Sequence, residues 1–276
     1  MLNSKISNHG EFEGPAQRLA VLIDADNAQP SLIEALLAEI ARFGEATVRR
    51  IYGDFTSSHT KQWKEVLNQF SINPIQQFAY TKGKNATDSR LIIDAMDLLH
   101  KGNISGFCLV SSDSDFTGLA SRIREEGLVV YGFGKEGTPV PFRNACNQFV
   151  FTENLKTPTK PANTPTVTHA KKAVSGAAKT PPEKQEPPKP KKIDKTIRVE
   201  FLKEAVEKSS GDAGWVHLGY IGSYLRKLQP DFDPRSYGFK NLTEVFQAFS
   251  GTFELQDRAT SQSPSKIIYV RIKEGQ

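Results

Sequence analysis

The sequence predicts a parallel α/β sheet with helices on both faces, followed by a small winged-helix second domain. Two observations carry the first part and one the second. Short apolar runs alternate with helix-period segments through the first 155 residues. Acidic residues fall just after the strand-like runs, where such a sheet places its ligands. Beyond a stretch rich in Pro and Lys, three amphipathic helical segments precede two short strand-like runs, the pattern of a helical domain with a hairpin wing.

Leu19 to Ile23 is an unbroken apolar run and reads as a strand buried on both faces. Pro30 suits the first turn of a helix that puts Leu32, Ile33, Leu36, Leu37, Ile40 and Phe43 on one side. Ala46 to Tyr52 is a second strand. Trp63, Val66, Leu67 and Phe70 mark a helix, Pro74 to Ala79 a strand, and Thr87 to His100 a helix. Phe107 to Val110 is again a buried strand. A helix from Asp115 stops at Gly127, Leu128 to Tyr131 is a strand, and Phe149 to Phe151 is the last of this half.

The chain is expected to divide into an α/β domain over residues 15–155, a linker over 156–194 and a second domain over 195–273. The linker has almost no large apolar residue and cannot offset the entropy of ordering it. Between Lys156 and Lys195 there are 10 lysines against Glu183, Glu186 and Asp194, so this segment carries +7 of a total of +5. The rest of the chain therefore sums to about −2, and the folded parts must bind any anion through local sites rather than a basic surface. The proline doublets Pro181-Pro182 and Pro187-Pro188 favour extended chain that keeps the flanking domains apart. Met1 to Gly14 holds no signal-like apolar run, and no stretch approaches the roughly 20 apolar residues of a membrane span, so a cytoplasmic location is expected. Cys108 and Cys146 stand far apart with no metal-ligand spacing and read as core residues.

Three acidic motifs are directed to one sheet edge. The first strand ends in Ile23-Asp24-Ala25-Asp26-Asn27 and the fourth in Val110-Ser111-Ser112-Asp113-Ser114-Asp115. Asp88 opens a helix on the same side as Leu91, Ile92, Ala95 and Leu99, by a wheel of about 100° per residue. Asp94 falls at the flank of that apolar face and Asp97 points to solvent. Converging carboxylates raise one another's pKa unless a cation neutralises them. With no His or Cys in the motifs, a hard ion such as Mg²⁺ or Mn²⁺ fits. The loop Tyr80 to Thr87 precedes Asp88, and its Lys82 and Lys84 could contact a phosphate beside Gly83. Arg49, Arg50 and Lys61 could extend a substrate track. The strand-end pair Asp24-Ala25-Asp26 also imitates the nucleophile of haloacid-dehalogenase phosphatases, but the lysine that chemistry needs fits poorly at Lys82 or Lys84.

The stretches LAVLIDADN, KGKNATDSRLIIDAMD, CLVSSDSDFTGLASRIREEG and TPVPFRNACNQFVFTENL together resemble the LabA-like NYN domain family from Arg18 to Leu155. The resemblance implies a PIN-like fold and a metal-dependent ribonuclease. It carries the metal-ligand roles onto Asp24, Asp88 and Asp113, with Asn27 and Asp115 in support and Ser112 orienting a carboxylate or the phosphate. A catalytically silent RNA-binding or regulatory scaffold on the same fold is the alternative.

In the second domain, Thr196 to Lys208 reads as a helix, then come Trp215 to Leu218, helices through Ile221, Leu225 and Leu228 and through Leu242, Val245, Phe246 and Phe249, and strands near Phe253 to Leu255 and Ile267 to Ile272. The stretch GWVHLGYIGSYLRKLQPDFDPRSYGFKNLTEVFQAFSGTFEL resembles the LOTUS or OST-HTH domain. That likeness implies binding of RNA, structured or G-rich in some members, and of protein partners in others. Arg226, Lys227, Arg235 and Lys240 are the basic candidates for RNA contact, with Tyr237 and Phe239 as stacking faces, and His217 is expected to be packed in the core.

Overall fold

A computed structural model describes residues 17–56, 62–78, 86–155, 197–210, 214–260 and 263–273. Its first domain is a six-stranded sheet in the order β3-β2-β1-β4-β5-β6, with every neighbouring pair parallel. The strands are β1 (Arg18–Asp24), β2 (Glu45–Gly53), β3 (Asn73–Gln76), β4 (Gly106–Val110), β5 (Val129–Gly134) and β6 (Gln148–Phe151). The helices are α1 (Ile33–Ile40), α2 (Trp63–Gln69), α3 (Ala86–Lys101), α4 (Thr117–Glu125) and α5 (Val140–Ala145). Strand order runs outward in both directions from β1 and β4, so the crevice between their C-terminal ends is the topological switch point where such sheets bind ligands.

Alternation along the central strands explains the two cores. Ala20 and Leu22 of β1 and Phe107 and Leu109 of β4 face a cluster with Leu91, Ala95, Leu99, Ile123 and Phe142. Leu19, Val21 and Ile23, with Cys108 and Val110, face the opposite cluster with Ile33, Leu36, Ile40 and Trp63. A strand buried on both faces must be apolar throughout, which is why these runs carry no polar residue until their ends. Both cysteines are free and buried, as their spacing implied, and burial pushes the Cys146 thiol up to about 12.

The helix α5 was not anticipated: it is short, and Pro139 and Pro141 around its start resemble a turn. Its Phe142 fills the core beside Phe116 and Phe149, which explains why so short a segment is ordered. Gly127 takes φ +81 just after α4, the left-handed conformation that ends a helix with least strain for glycine.

The second domain contains α6 (Val199–Ser209), β7 (Val216–His217), α7 (Leu218–Leu228), α8 (Leu242–Ala248), β8 (Phe253–Thr260) and β9 (Ser263–Ile272). The wing is larger than expected, because β7 adds to the hairpin to give an antiparallel sheet ordered β7-β9-β8. Leu202, Val206, Val216, Ile221, Leu225, Phe246, Phe253 and Val270 close its core.

The expectation that the flanking domains are held apart is corrected. The backbone N–H of Phe149 on the edge strand β6 donates to the carbonyl of Pro230 at 2.9 Å. Arg143 pairs with the buried Asp231, Arg235 Nη2 lies 2.9 Å from Glu39 Oε1, and Asn154 Nδ2 donates to Ser236 Oγ at 2.8 Å. The turn between α7 and α8 thus covers an edge that would otherwise present unpaired backbone groups. The linker and the loop carrying Lys82 and Lys84 lie outside the described residues, as does Lys61.

Candidate active site

Asp24 is the last residue of β1 and is 1% exposed. Its Oδ2 accepts from Asn27 Nδ2 at 2.6 Å and from Ser111 Oγ at 2.9 Å, while its Oδ1 accepts from the Asp26 N–H at 3.0 Å. Burial raises its pKa, and the three donors offset that only in part. Ser111, just past β4, also accepts from the Asp113 N–H through its Oγ, and Asp113 Oδ1 accepts from the Asp115 N–H at 2.9 Å. A chain of short bonds therefore fixes the loop after β4 against the end of β1.

Asp88, in the first turn of α3, faces this loop because Leu91, Ala95 and Leu99 behind it are anchored in the core. Single carboxylate oxygens of Asp88, Asp113 and Asp115 all lie within 4.8 Å of one another. Burial, then repulsion from Asp24, Asp113, Asp115 and Asp26, pushes Asp88 up to about 6. A set of oxygen-only donors at this separation, one of them resisting ionisation, suits a hard divalent cation.

The arrangement differs from the sequence reading in two respects. Asp115, expected in support, stands in the close trio, whereas Asp24, expected as a principal ligand, lies behind it with both oxygens already bonded within the protein. Ser112 Oγ accepts from the Lys135 N–H at 2.9 Å, and the serine hydroxyl bonded to Asp24 is that of Ser111, which was not among the residues singled out from the sequence. Asn27 holds Asp24 directly. Beside these groups, Asn27, Ser111, Ser112, Gly134 and Lys135 line a shallow cleft. Gly134 is required there, since a Cβ would sit 2.5 Å from the Ser111 carbonyl oxygen.

Asp97 is exposed and Asp94 buried, and Asp94 has a structural duty. Burial works against its ionisation, yet the Tyr52 hydroxyl and the Arg50 guanidinium donate to it and hold its carboxyl below the usual range. Arg50 is thereby removed from the expected substrate track. Arg49 is removed as well, donating to the carbonyls of Ala46 and Phe70.

Among the basic candidates of the second domain, Lys227 and Lys240 are exposed. Arg235 is corrected: it is engaged by Asp233 and by Glu39 of the first domain, which raise its pKa, so it serves the contact between domains. Arg226 is partly buried in a cleft shared with Glu39, Arg42 and Asp233. Tyr237 and Phe239 pack on the domain core, Tyr237 against Phe232.

Comparison with known proteins agrees with this architecture. The NYN domain, a nuclease-type domain, matches residues 18–153, and the OST-HTH/LOTUS domain, which binds RNA, matches residues 191–264. No curated protein matches the chain. Among solved structures, an uncharacterized protein of Nitrosomonas europaea determined by solution NMR is 38% identical, covering 34% of this chain and 93% of that one, with a TM-score of 0.27. The crystal structure of a protein of unknown function from Vibrio parahaemolyticus is 18% identical, covering 49% of this chain and 93% of that one, with a TM-score of 0.42. Among the described residues no helix is long and apolar enough to cross a membrane. The chain is an NYN-domain protein with a PIN-like α/β fold and a C-terminal OST-HTH/LOTUS domain.

Proposed function

We propose that the chain is a metal-dependent endoribonuclease whose second domain captures RNA. The observation that carries the reading is the trio Asp88, Asp113 and Asp115 at the switch point of the sheet. These three carboxylates would hold Mg²⁺ or Mn²⁺, which when bound supplies an activated water and neutralises charge on the phosphodiester. Asp24 acts as a positioning group: held by Asn27 and Ser111, it adds negative charge behind the trio and fixes the geometry of the loop after β4. Lys135, exposed at the lip of the cleft, would meet the phosphate backbone. Lys227 and Lys240 would add contacts from the second domain, and the lysine-rich segment 156–194 would tether the two and attract RNA electrostatically.

The test is incubation of the purified chain with a mixture of labelled RNA and DNA, with and without Mn²⁺. Internal cleavage of RNA only when the metal is supplied, abolished by a chelator and restored by excess Mn²⁺, is the expected result. Failure to cut RNA with either metal, or cutting indifferent to the chelator, contradicts it.

A further inference from the structure

The outward face of the three-stranded sheet in the second domain is built in an unusual way. Strand alternation sends Val216 and Val270 into the core and leaves His217, Tyr269 and Arg271 on the other side. Cross-strand pairing brings His217 opposite Tyr269, Gln256 opposite Tyr269 and Glu254 opposite Arg271. The solvent side of a small wing is ordinarily filled by polar side chains. Here it carries several flat π systems and two guanidinium groups, with Gln256 and Glu254 set beside the arginines.

The Arg271 guanidinium carbon lies 4.7 Å from the centroid of the Trp215 ring. Arg258 lies 5.4 Å from the same ring and 4.5 Å from that of Tyr269. Tyr269 meets His217 edge-on at 5.8 Å, and His217 meets Tyr220 edge-on at 5.3 Å. His217, expected in the core, is thus the link between two exposed or partly exposed tyrosines, with its Nδ1 fixed by the Gly219 N–H. Tyr220 is 66% exposed, the most exposed of the large hydrophobic side chains among the described residues. Gln256 Oε1 accepts two bonds from Arg258, at 3.1 and 3.0 Å, and so aims that cation without neutralising it. Glu254 holds Arg271 differently, as an ion pair whose Oε2 accepts from the Arg271 Nε–H at 2.8 Å, so Arg258 is the cation of this face that no carboxylate is seen to neutralise among the described residues.

We infer that this face, Trp215, Tyr220, Arg258 and Tyr269 above all, is a stacking platform for unpaired bases of single-stranded RNA. The inference rests on the reading that RNA is the substrate, and it assigns the capture surface. Rings fixed by cation–π contacts keep their orientation at little entropic cost when a base arrives. An acidic peptide would satisfy the arginines but leave the rings unused, and a proline-rich peptide would do the reverse. Unpaired nucleotides supply flat faces and phosphates together, and each stacked base contributes about 1–3 kcal/mol. The platform lies on a different face from Tyr237 and Phe239, which the core absorbs.

The test uses the full chain bearing Asp88→Asn, so that the probe survives, and fluorescence anisotropy of a labelled single-stranded RNA of about a dozen nucleotides, a length within the usual span of one binding module. Tyr220→Ala and Arg258→Ala should each weaken binding roughly 5- to 100-fold, as expected for loss of a stacking partner. Tyr220→Phe, which keeps the ring, should bind like the parent. A duplex RNA of equal length should bind far more weakly, since its bases present no free faces. Binding by the Tyr220→Ala, Arg258→Ala double variant within about twofold of the parent, with unchanged circular dichroism, overturns the platform, because even one lost stack should exceed that. Duplex RNA binding as tightly as the single strand also overturns it, as does capture of a protein ligand but no RNA. Cleavage at saturating RNA by the double variant with Asp88 intact separates the two readings. A failed platform leaves affinity unchanged whatever the cleavage, and a failed nuclease leaves anisotropy responsive with nothing cut.

Discussion

Replacing Asp88 by Asn should make the metal-free protein more stable while destroying its response to metal. The Asp88 carboxyl titrates near 6 in the fold against 3.8 for an unperturbed aspartate, a rise caused by burial and by the neighbouring carboxylates. About two pKa units correspond to about 3 kcal/mol, and because the group is only partly buried solvent screening reduces this to about 1–1.5 kcal/mol. The sign follows from the direction of the shift. With a folded pKa above the unfolded one, the contribution favourable to folding is fully present below pH 3.8, is lost as pH rises, and is gone above about 6. At pH 7.5 wild-type protein bears the whole penalty, and Asp88→Asn relieves it. For a domain of this size that is a rise in Tm of about 3–5 °C in chelator, shrinking to nothing near pH 4. Excess Mn²⁺ should reverse the order, raising the wild-type Tm and leaving the variant nearly unmoved, since ligand binding stabilises only the state that binds. Differential scanning fluorimetry across pH 4–8, with chelator or Mn²⁺, reads both effects. A variant no more stable than wild type in chelator at pH 7.5, yet equally stabilised by Mn²⁺, would refute the placement of Asp88 among repelling carboxylates at a cation site.

Ser111→Ala should cost about 1–3 kcal/mol in urea denaturation, because it strips a donor from the fully buried Asp24, whereas Ser112→Ala, losing one exposed bond, should cost less than about 1 kcal/mol. Asp94→Ala should destabilise by about 2–4 kcal/mol, leaving the Tyr52 hydroxyl and Arg50 without their shared partner, and calorimetry should show Mn²⁺ binding unchanged. Combining Arg143→Ala with Arg235→Ala removes the ion pairs that join the domains, so the Phe149 amide, held by the Pro230 carbonyl, should exchange with deuterium at least tenfold faster while core amides of β1 and β4 do not.

The strands were legible because burial on both faces leaves no room for polar residues: Leu19 to Ile23 and Phe107 to Val110 announce themselves as unbroken apolar runs. Their polar ends then direct Asp24 and Asp113 to one edge without any tertiary information. Which carboxylates meet most closely was not legible, since that depends on how the loop after β4 turns. Asp113 caps the Asp115 amide and swings Asp115 into the cluster, while Ser111 and Asn27 occupy Asp24. A one-residue difference separated Ser112 from Ser111, and strand periodicity fails at the residue where the strand ends. Arg235 looked like a free surface cation because its partner Glu39 lies 196 positions away. The platform was half visible: alternation of Ile267, Tyr269 and Arg271 with Ile268, Val270 and Ile272 marks a two-faced strand. Nothing local reveals that His217 pairs with Tyr269, and so a histidine between Val216 and Leu218 read as core.

The most direct test of a carboxylate-held metal at the sheet edge is single-turnover cleavage of one labelled single-stranded RNA at saturating protein in Mn²⁺, comparing wild type with Asp88→Asn. The substitution removes one charge with little change in volume, so RNA should still be bound while the rate falls by at least two to three orders of magnitude, the usual cost of losing a preorganised electrostatic contribution to the transition state. Cleavage by Asp88→Asn at the wild-type rate would contradict the assignment of the chemistry to the carboxylates at the sheet edge.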